Sequence, residues 1–173
     1  AKSLRSHTDR VGQLQSREVS REYEAVVQGV LTGGGSIDAA LGRHPVSRNK
    51  RAVVDSGQQA ITHYRVITRF RSHTHIRVKL ETGRTHQIRV HMAHIKHPLL
   101  GDPVYGGRLQ LPAACSAALA DCLKNFRRQA LHACRLELSH PVSTEMLAWQ
   151  SARPEDMELL LGELSQDCKP GPG

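Results

Sequence analysis

Hydrophobic and polar positions alternate most regularly over two neighbouring stretches, AITHYRVITRF at residues 60–70 and HIRVKLET at residues 75–82. A period of two sends every second side chain to one face of a strand. The short RSHT between the stretches predicts that they pair as an antiparallel hairpin. REYEAVVQGVL, residues 21–31, carries the β-branched and aromatic residues of a further strand. TGGGSID then predicts a break, because a run of glycines holds no packed element. GRHPVSRNKRAVV reads as a basic loop leading into a short strand, and DSGQQ as a turn.

The period changes at THQIRVHMAHI. Ile88, Met92 and Ile95 are spaced by four and three, a helical stripe, and Thr85 is the candidate N-cap. KHPLLGDPVYGG must be a loop, since its prolines and glycines break regular structure. SAALADCLKNF predicts a second helix. QALHACRLELSH and EMLAWQS predict two strands joined by a turn in PVSTE. PEDMELLLGELSQ predicts a closing helix, with Pro154 near its first turn and acids at its N-terminal end. CKPGPG reads as a frayed tail. Ahead of all these, SHTDRVGQLQSREV at residues 6–19 predicts a short surface helix. The fold class is therefore mixed α/β (α+β), a mainly antiparallel sheet flanked by helices rather than a repeating βαβ chain.

Charge adds a partner. The 173 residues hold 24 Lys and Arg against 16 Asp and Glu, a formal net charge of +8 and a pI near 9.8. Only six of those cations are lysines. Arginine grips phosphate in a planar, two-pronged way, so the bias points to a polyanion, with nucleic acid first. Aromatic residues make up 3% of the chain, which argues against a stacking platform of several rings. No apolar run has the length of a membrane helix, and no charged-then-apolar signal segment opens the chain. Cys115, Cys122, Cys134 and Cys168 form no CxxC pair and no zinc spacing, which suggests free thiols in a reducing compartment, the cytoplasm. The first residue is Ala1 rather than Met, which leaves room for processing or truncation.

The chemistry concentrates in ETGRTHQIRVHMAHIKHPLLGDPVYGG, residues 81–107. A metal is one reading, since His91, His94 and His97 are spaced by three. No acid sits with them in the HExxH manner, and Pro98 ends the helix, so no metal is expected. An RNA grip is a second reading. Arg84, His86 and Arg89 fall at a helix start, where backbone N–H groups already favour anions. The basic run RVITRFRSHTHIRVK just before them would extend the same phosphate-binding face. Part of an active site is the third reading. Arg89 sits among apolar residues and calls for a buried carboxylate partner, which the surrounding sequence does not name. Asp102 is expected to cap a turn in a rigid connector rather than to act directly.

These residues also carry a resemblance. LETGRTHQIRVHMAHIKHPLLGDPVYGG resembles the third motif of the RluA-type pseudouridine synthases, and is close to that of the RluD-like subgroup that modifies large-subunit ribosomal RNA. SREYEAVVQG resembles the preceding motif, which carries a tyrosine. GRHP, AITHYRV and RQALHACRLELSHPVS resemble further family stretches, so the likeness runs over about residues 1–160. It implies a pseudouridine synthase catalytic-domain-like fold that isomerises uridine in RNA without cofactor or metal. A family aspartate attacks the flipped-out nucleotide covalently. Tyr23 takes the place of the family tyrosine, packing on the base and acting as, or placing, the proton-removing base. Arg89 takes the place of the arginine that holds the catalytic aspartate, and Ile88 helps to shape the pocket. Arg84 and His86 would hold the substrate from the helix start.

One part of the pattern has no counterpart. The family aspartate lies in a His-Arg-Leu-Asp motif, and no such run occurs here; Asp9 has the wrong surroundings to replace it. The expectation is that residues 1–165 are the C-terminal portion of a catalytic domain, that residues 166–173 are a flexible tail, and that the chain alone is inactive. The competing reading is a non-catalytic basic RNA-binding domain. A His-based metal hydrolase is a third.

Overall fold

The computed structural model describes residues 19–140 and 143–168. The helix expected over residues 6–19 falls outside them except for Val19. The chain runs β1 (Ser20–Gln28), β2 (Gly35–Asp38), β3 (Leu41–Arg43), β4 (Arg51–Val53), β5 (Ile61–Arg69), β6 (His73–Leu80), α1 (Gln87–His94), α2 (Ala117–Asn125), β7 (Leu131–Ser139), β8 (Met146–Gln150) and α3 (Glu155–Gln166). Six strands form one antiparallel sheet in the order β2-β5-β6-β1-β7-β8, and β3 and β4 pair as a separate ribbon. The fold is mixed α/β with a mainly antiparallel sheet, as the alternation predicts.

The centre of β1 does not alternate, and its position explains why. Ala25, Val26 and Val27 are all fully buried. Ala25 and Val27 pack against Ile88 and Met92 of α1. Val26 points the other way, into Leu119 and Leu123 of α2 and Met157 and Leu160 of α3. A strand covered on both faces reads as a continuous apolar run. In α3, Met157, Leu160, Leu161 and Leu164 form the buried stripe. Arg128 clamps its first turn through two 2.7 Å bonds to Asp156.

Several boundaries differ from expectation. β1 stops at Gln28 rather than Leu31, because Gly29 turns to φ 82 and His97 Nδ1 lies 2.8 Å from where a Cβ would stand. Within TGGGSID, residues 35–38 form an edge strand rather than only a break, because β5 supplies them with backbone partners from Gly35↔Tyr64 to Asp38↔Ile61. The basic loop after it contains the β3–β4 ribbon, tied to α1 through a small cluster of Leu41, Ala60 and Val90. In the stretch read as a tail, Asp167 binds Arg71 at 2.8 Å and Ser116 N at 3.0 Å. Residues 169–173 lie outside the described residues.

Candidate functional site

The start of α1 is built by Gln87 rather than by a cap. Thr85 is not the N-cap; His86 is, in the left-handed region at φ 59, with no side-chain cap bond. Gln87 is 3% exposed and uses both ends of its amide. Its Oε1 accepts from Thr82 Oγ1 and Arg84 N, and its Nε2 donates to Ile61 O and Thr62 Oγ1, all between 2.8 and 3.0 Å. Those four bonds pin the turn before the helix onto β5, and they leave His86 and Arg89 on the far side of the turn.

Arg89 finds its carboxylate across the following loop. Its Nε and Nη2 donate to Asp102 Oδ2 and Oδ1, each at 2.7 Å. The Asp102 side chain is 0% exposed and that of Arg89 12%. Asp102 Oδ1 also accepts from Val104 N at 2.8 Å and Tyr105 N at 3.0 Å. Asp102 thus caps its turn, as expected, and also holds Arg89, which the sequence did not show. Burial alone would raise its pKa; the bonds from Arg89, Tyr105 and Val104 outweigh it and hold the carboxyl below its ordinary value. With both oxygens occupied and no exposed surface, Asp102 is not placed to attack a substrate.

Tyr105 closes the cluster. The Arg89 guanidinium lies 4.9 Å from its ring centroid, and His86 meets the ring edge-on at 5.7 Å. The Tyr105 hydroxyl accepts from Arg51 N at 2.9 Å and contacts His86 Nδ1 at 3.0 Å. Burial and the nearby cations Arg89 and Arg51 lower the His86 pKa against the pull of Asp102. With its proton on Nε2, a neutral His86 accepts a hydrogen bond from the Tyr105 hydroxyl at Nδ1. One phenol therefore joins the basic β3–β4 ribbon, the start of α1 and the loop after it. Nη1 of Arg89 makes no hydrogen bond among the described residues.

The other histidines disperse. His91 is fully buried: Nε2 donates to Ala39 O at 2.9 Å, and Nδ1 meets Thr62 Oγ1 at 2.8 Å. His97 donates through Nδ1 to Gln28 O at 2.8 Å, and His94 is exposed. No three His, Cys, Asp or Glu side chains converge as a metal site among the described residues. The basic run before α1 also divides. Thr62 and Tyr64 face α1, so strand alternation sends Arg65, Arg77 and Lys79 to the opposite face. They do not extend the surface of Arg84, His86 and Arg89, contrary to expectation.

Comparison with known proteins fits this geometry into a family. The family model for RNA pseudouridylate synthases matches residues 1–94, more than half of the chain. The chain belongs to the RNA pseudouridylate synthase family. The ribosomal large subunit pseudouridine synthase D of Pseudomonas aeruginosa is 60% identical over 167 residues, covering 96% of this chain and 52% of the relative. The proteins of the same name from Escherichia coli K12 and Haemophilus influenzae are 51% and 49% identical over the same length. The chain spans about half the length of these curated relatives. In fold, it matches human RNA pseudouridylate synthase domain containing 1 and domain containing 4, with TM-scores of 0.70 and 0.68 at 22% and 24% identity. Those matches cover 89% and 90% of this chain and 62% and 66% of the human ones.

Tyr23 lies on β1 beside Val78 and faces the same way as Ala25 and Val27, toward α1. Ile88 is 4% exposed and packs in the same cluster as Tyr23. Arg84 is exposed and donates through Nε to Gln59 O at 3.1 Å. Sequence reasoning missed Gln87 and Tyr105. The signal for Tyr105 was its spacing of three from Asp102, which lets an aspartate-capped turn aim the ring back toward the helix.

Proposed function

We propose that this chain supplies the tyrosine and arginine half of an active site that converts uridine to pseudouridine in RNA. One observation carries the reading. In a chain of this family, Arg89 is locked by Asp102 and Tyr105 at the start of α1, the helix whose Ile88 packs in one cluster with Tyr23, and its Nη1 makes no hydrogen bond among the described residues. That nitrogen suits a second carboxylate, the attacking aspartate of the family. Tyr23 packs on the flipped base and serves its proton transfer. Ile88 backs Tyr23 from below rather than meeting substrate across a broad surface. Arg84 and His86 hold phosphate or sugar at the helix start. The reaction breaks one bond to the sugar carbon, forms another to the same base and changes no oxidation state, so it calls for no cofactor.

Large-subunit ribosomal RNA is the proposed substrate, from the names of the relatives, and the cytoplasm is the proposed location, from the unpaired cysteines. No helix among the described residues is long and apolar enough to cross a membrane. A purely RNA-binding role is less well supported, because a phosphate grip needs no tyrosine set on the sheet face under the helix that carries a fixed arginine. Tritium release from RNA labelled at uridine C5 tests the reading. The 173-residue chain by itself should release none. A chimera joining it to the part of the Pseudomonas aeruginosa relative that it does not cover should release tritium, and Tyr23→Phe or Arg89→Ala should each abolish that release. Undiminished release by either variant would sink the assignment. In the chimera Arg89→Ala should leave RNA affinity nearly intact, whereas a phosphate contact would be seen as a lower affinity and a flatter salt dependence.

A further inference from the structure

The register of the sheet carries one row of residues from α1 to the far edge. Thr62, which binds Gln87, lies opposite Leu80; Leu80 lies opposite Arg21, Arg21 opposite Leu136, and Leu136 opposite Trp149. Residues paired across an antiparallel sheet share a face. Trp149 therefore lies on the same face as α1 and Tyr23, on the edge strand β8. It is 50% exposed, and the Leu136 beneath it 37%. A tryptophan ring is large and mostly buried in folded chains, so one standing half in solvent next to a site is a recognition feature.

Arg21 gives a second observation. Its Nε is buried with no hydrogen-bond partner, and no carboxylate pairs with its guanidinium among the described residues. The group lies against Gly83, where an added Cβ would stand 2.4 Å from Nη1 and 2.8 Å from Nη2. The glycine of ETGRT thus makes room for an arginine that nothing in the described structure neutralises. A buried donor without an acceptor calls for one, and a phosphate oxygen can supply it. The acids of this region turn away: Glu137 shares its face with Arg135, and Glu22 lies opposite Lys79 on the reverse side of the sheet.

We propose that Trp149 and Arg21 form a nucleotide subsite beside the active site, with Trp149 stacking on an unpaired RNA base and Arg21 binding a neighbouring phosphate. Two strand spacings separate their backbones, about 10 Å, which a nucleotide can bridge from phosphate to base. The few aromatic residues exclude a platform of several rings, but a single ring serves a single base. Leu136 and the Leu138–Leu147 pair extend an apolar floor around the ring. The inference rests on the RNA reading above.

Trp149 is the chain's single tryptophan, so its fluorescence reports the site directly. The 173-residue chain is titrated with a short unstructured RNA and with a fragment of large-subunit ribosomal RNA, at several salt concentrations. Both RNAs should quench Trp149. Trp149→Ala should weaken binding at least about fivefold, with Trp149→Phe restoring most of it. Arg21→Gln should reduce the slope of log affinity against log salt by about 0.7 on the single strand, whereas Trp149→Ala leaves the slope unchanged. Trp149→Phe also guards against a folding defect, since it keeps a ring on the edge strand. Binding that leaves Trp149 fluorescence unchanged, together with full affinity in Trp149→Ala, would overturn the subsite alone. A wild-type chain that binds neither RNA would overturn the RNA reading as well.

Discussion

Replacing Asp102 with alanine removes four bonds at once, and the structure says what each is worth. The carboxylate holds Arg89 twice at 2.7 Å and the turn N–H groups of Val104 and Tyr105 at 2.8 and 3.0 Å. Its side chain is wholly buried and that of Arg89 is nearly so. Taking one partner from a buried ion pair costs about 3–5 kcal/mol, because the other charge stays without compensation. Each orphaned backbone N–H adds about 1 kcal/mol, the low end of the range, since water reaches a half-buried turn. Asp102→Ala should therefore cost about 5–7 kcal/mol, a large share of the roughly 5–15 kcal/mol available to a domain of this size. Asp102→Asn keeps an oxygen for the two N–H groups and should cost less, about 2–3 kcal/mol. Urea unfolding of both variants, of Arg89→Ala and of the double variant gives the coupling between the pair, expected to exceed about 1.5 kcal/mol. The stabilisation should be complete above the ordinary carboxyl pKa of 3.8 and drain away as pH falls through the lower folded value. A cost below about 1 kcal/mol for Asp102→Ala, or additive single losses, would refute the ledger.

Two further outcomes follow from buried polar groups away from the ion pair. His73 is 3% exposed, and burial, opposed by Asp167, lowers its pKa to about 4. The unfolded chain takes up that proton near pH 6.5 and the folded chain does not, so stability is full above pH 6.5 and falls between pH 6.5 and 4. The loss from pH 7 to pH 5 is about 2 kcal/mol from this residue, with His75 and His91 shifted in the same direction. Thermal melting across that range should show the decline, and His73→Phe should flatten it; an unchanged melting temperature would count against the buried neutral histidine. Gln87→Ala orphans Arg84 N and Ile61 O and opens a cavity under α1, which should cost about 2–4 kcal/mol in urea. Hydrogen exchange should then locate the loosening at residues 82–90, and protection as strong as wild type there would contradict the anchoring role.

What the sequence exposed and what it hid divide along a physical line. The β5–β6 hairpin was legible because its pattern and its turn are local. α3 was legible because its stripe and its first-turn acids lie within one helix. β2 was not, because a short edge strand with three preceding or internal glycines gains its order from backbone bonds to β5, some thirty residues on. The start of α1 was misplaced by one residue for the same reason: Gln87 is fixed by Ile61 and Thr62, not by a side chain at Thr85. The need of Arg89 for an acid was visible from its apolar neighbours, while the acid itself was set aside as a turn former. Both descriptions of Asp102 hold. One carboxylate has enough lone pairs to cap the turn and to hold the guanidinium. The turn orients the carboxylate, the carboxylate fixes the arginine, and the tyrosine three residues on covers it. The glycines and prolines around Asp102 therefore act on the chemistry at one remove. They set the angle at which Arg89 presents its Nη1, so a substitution that reshapes the loop should disturb the site without touching any residue that meets RNA.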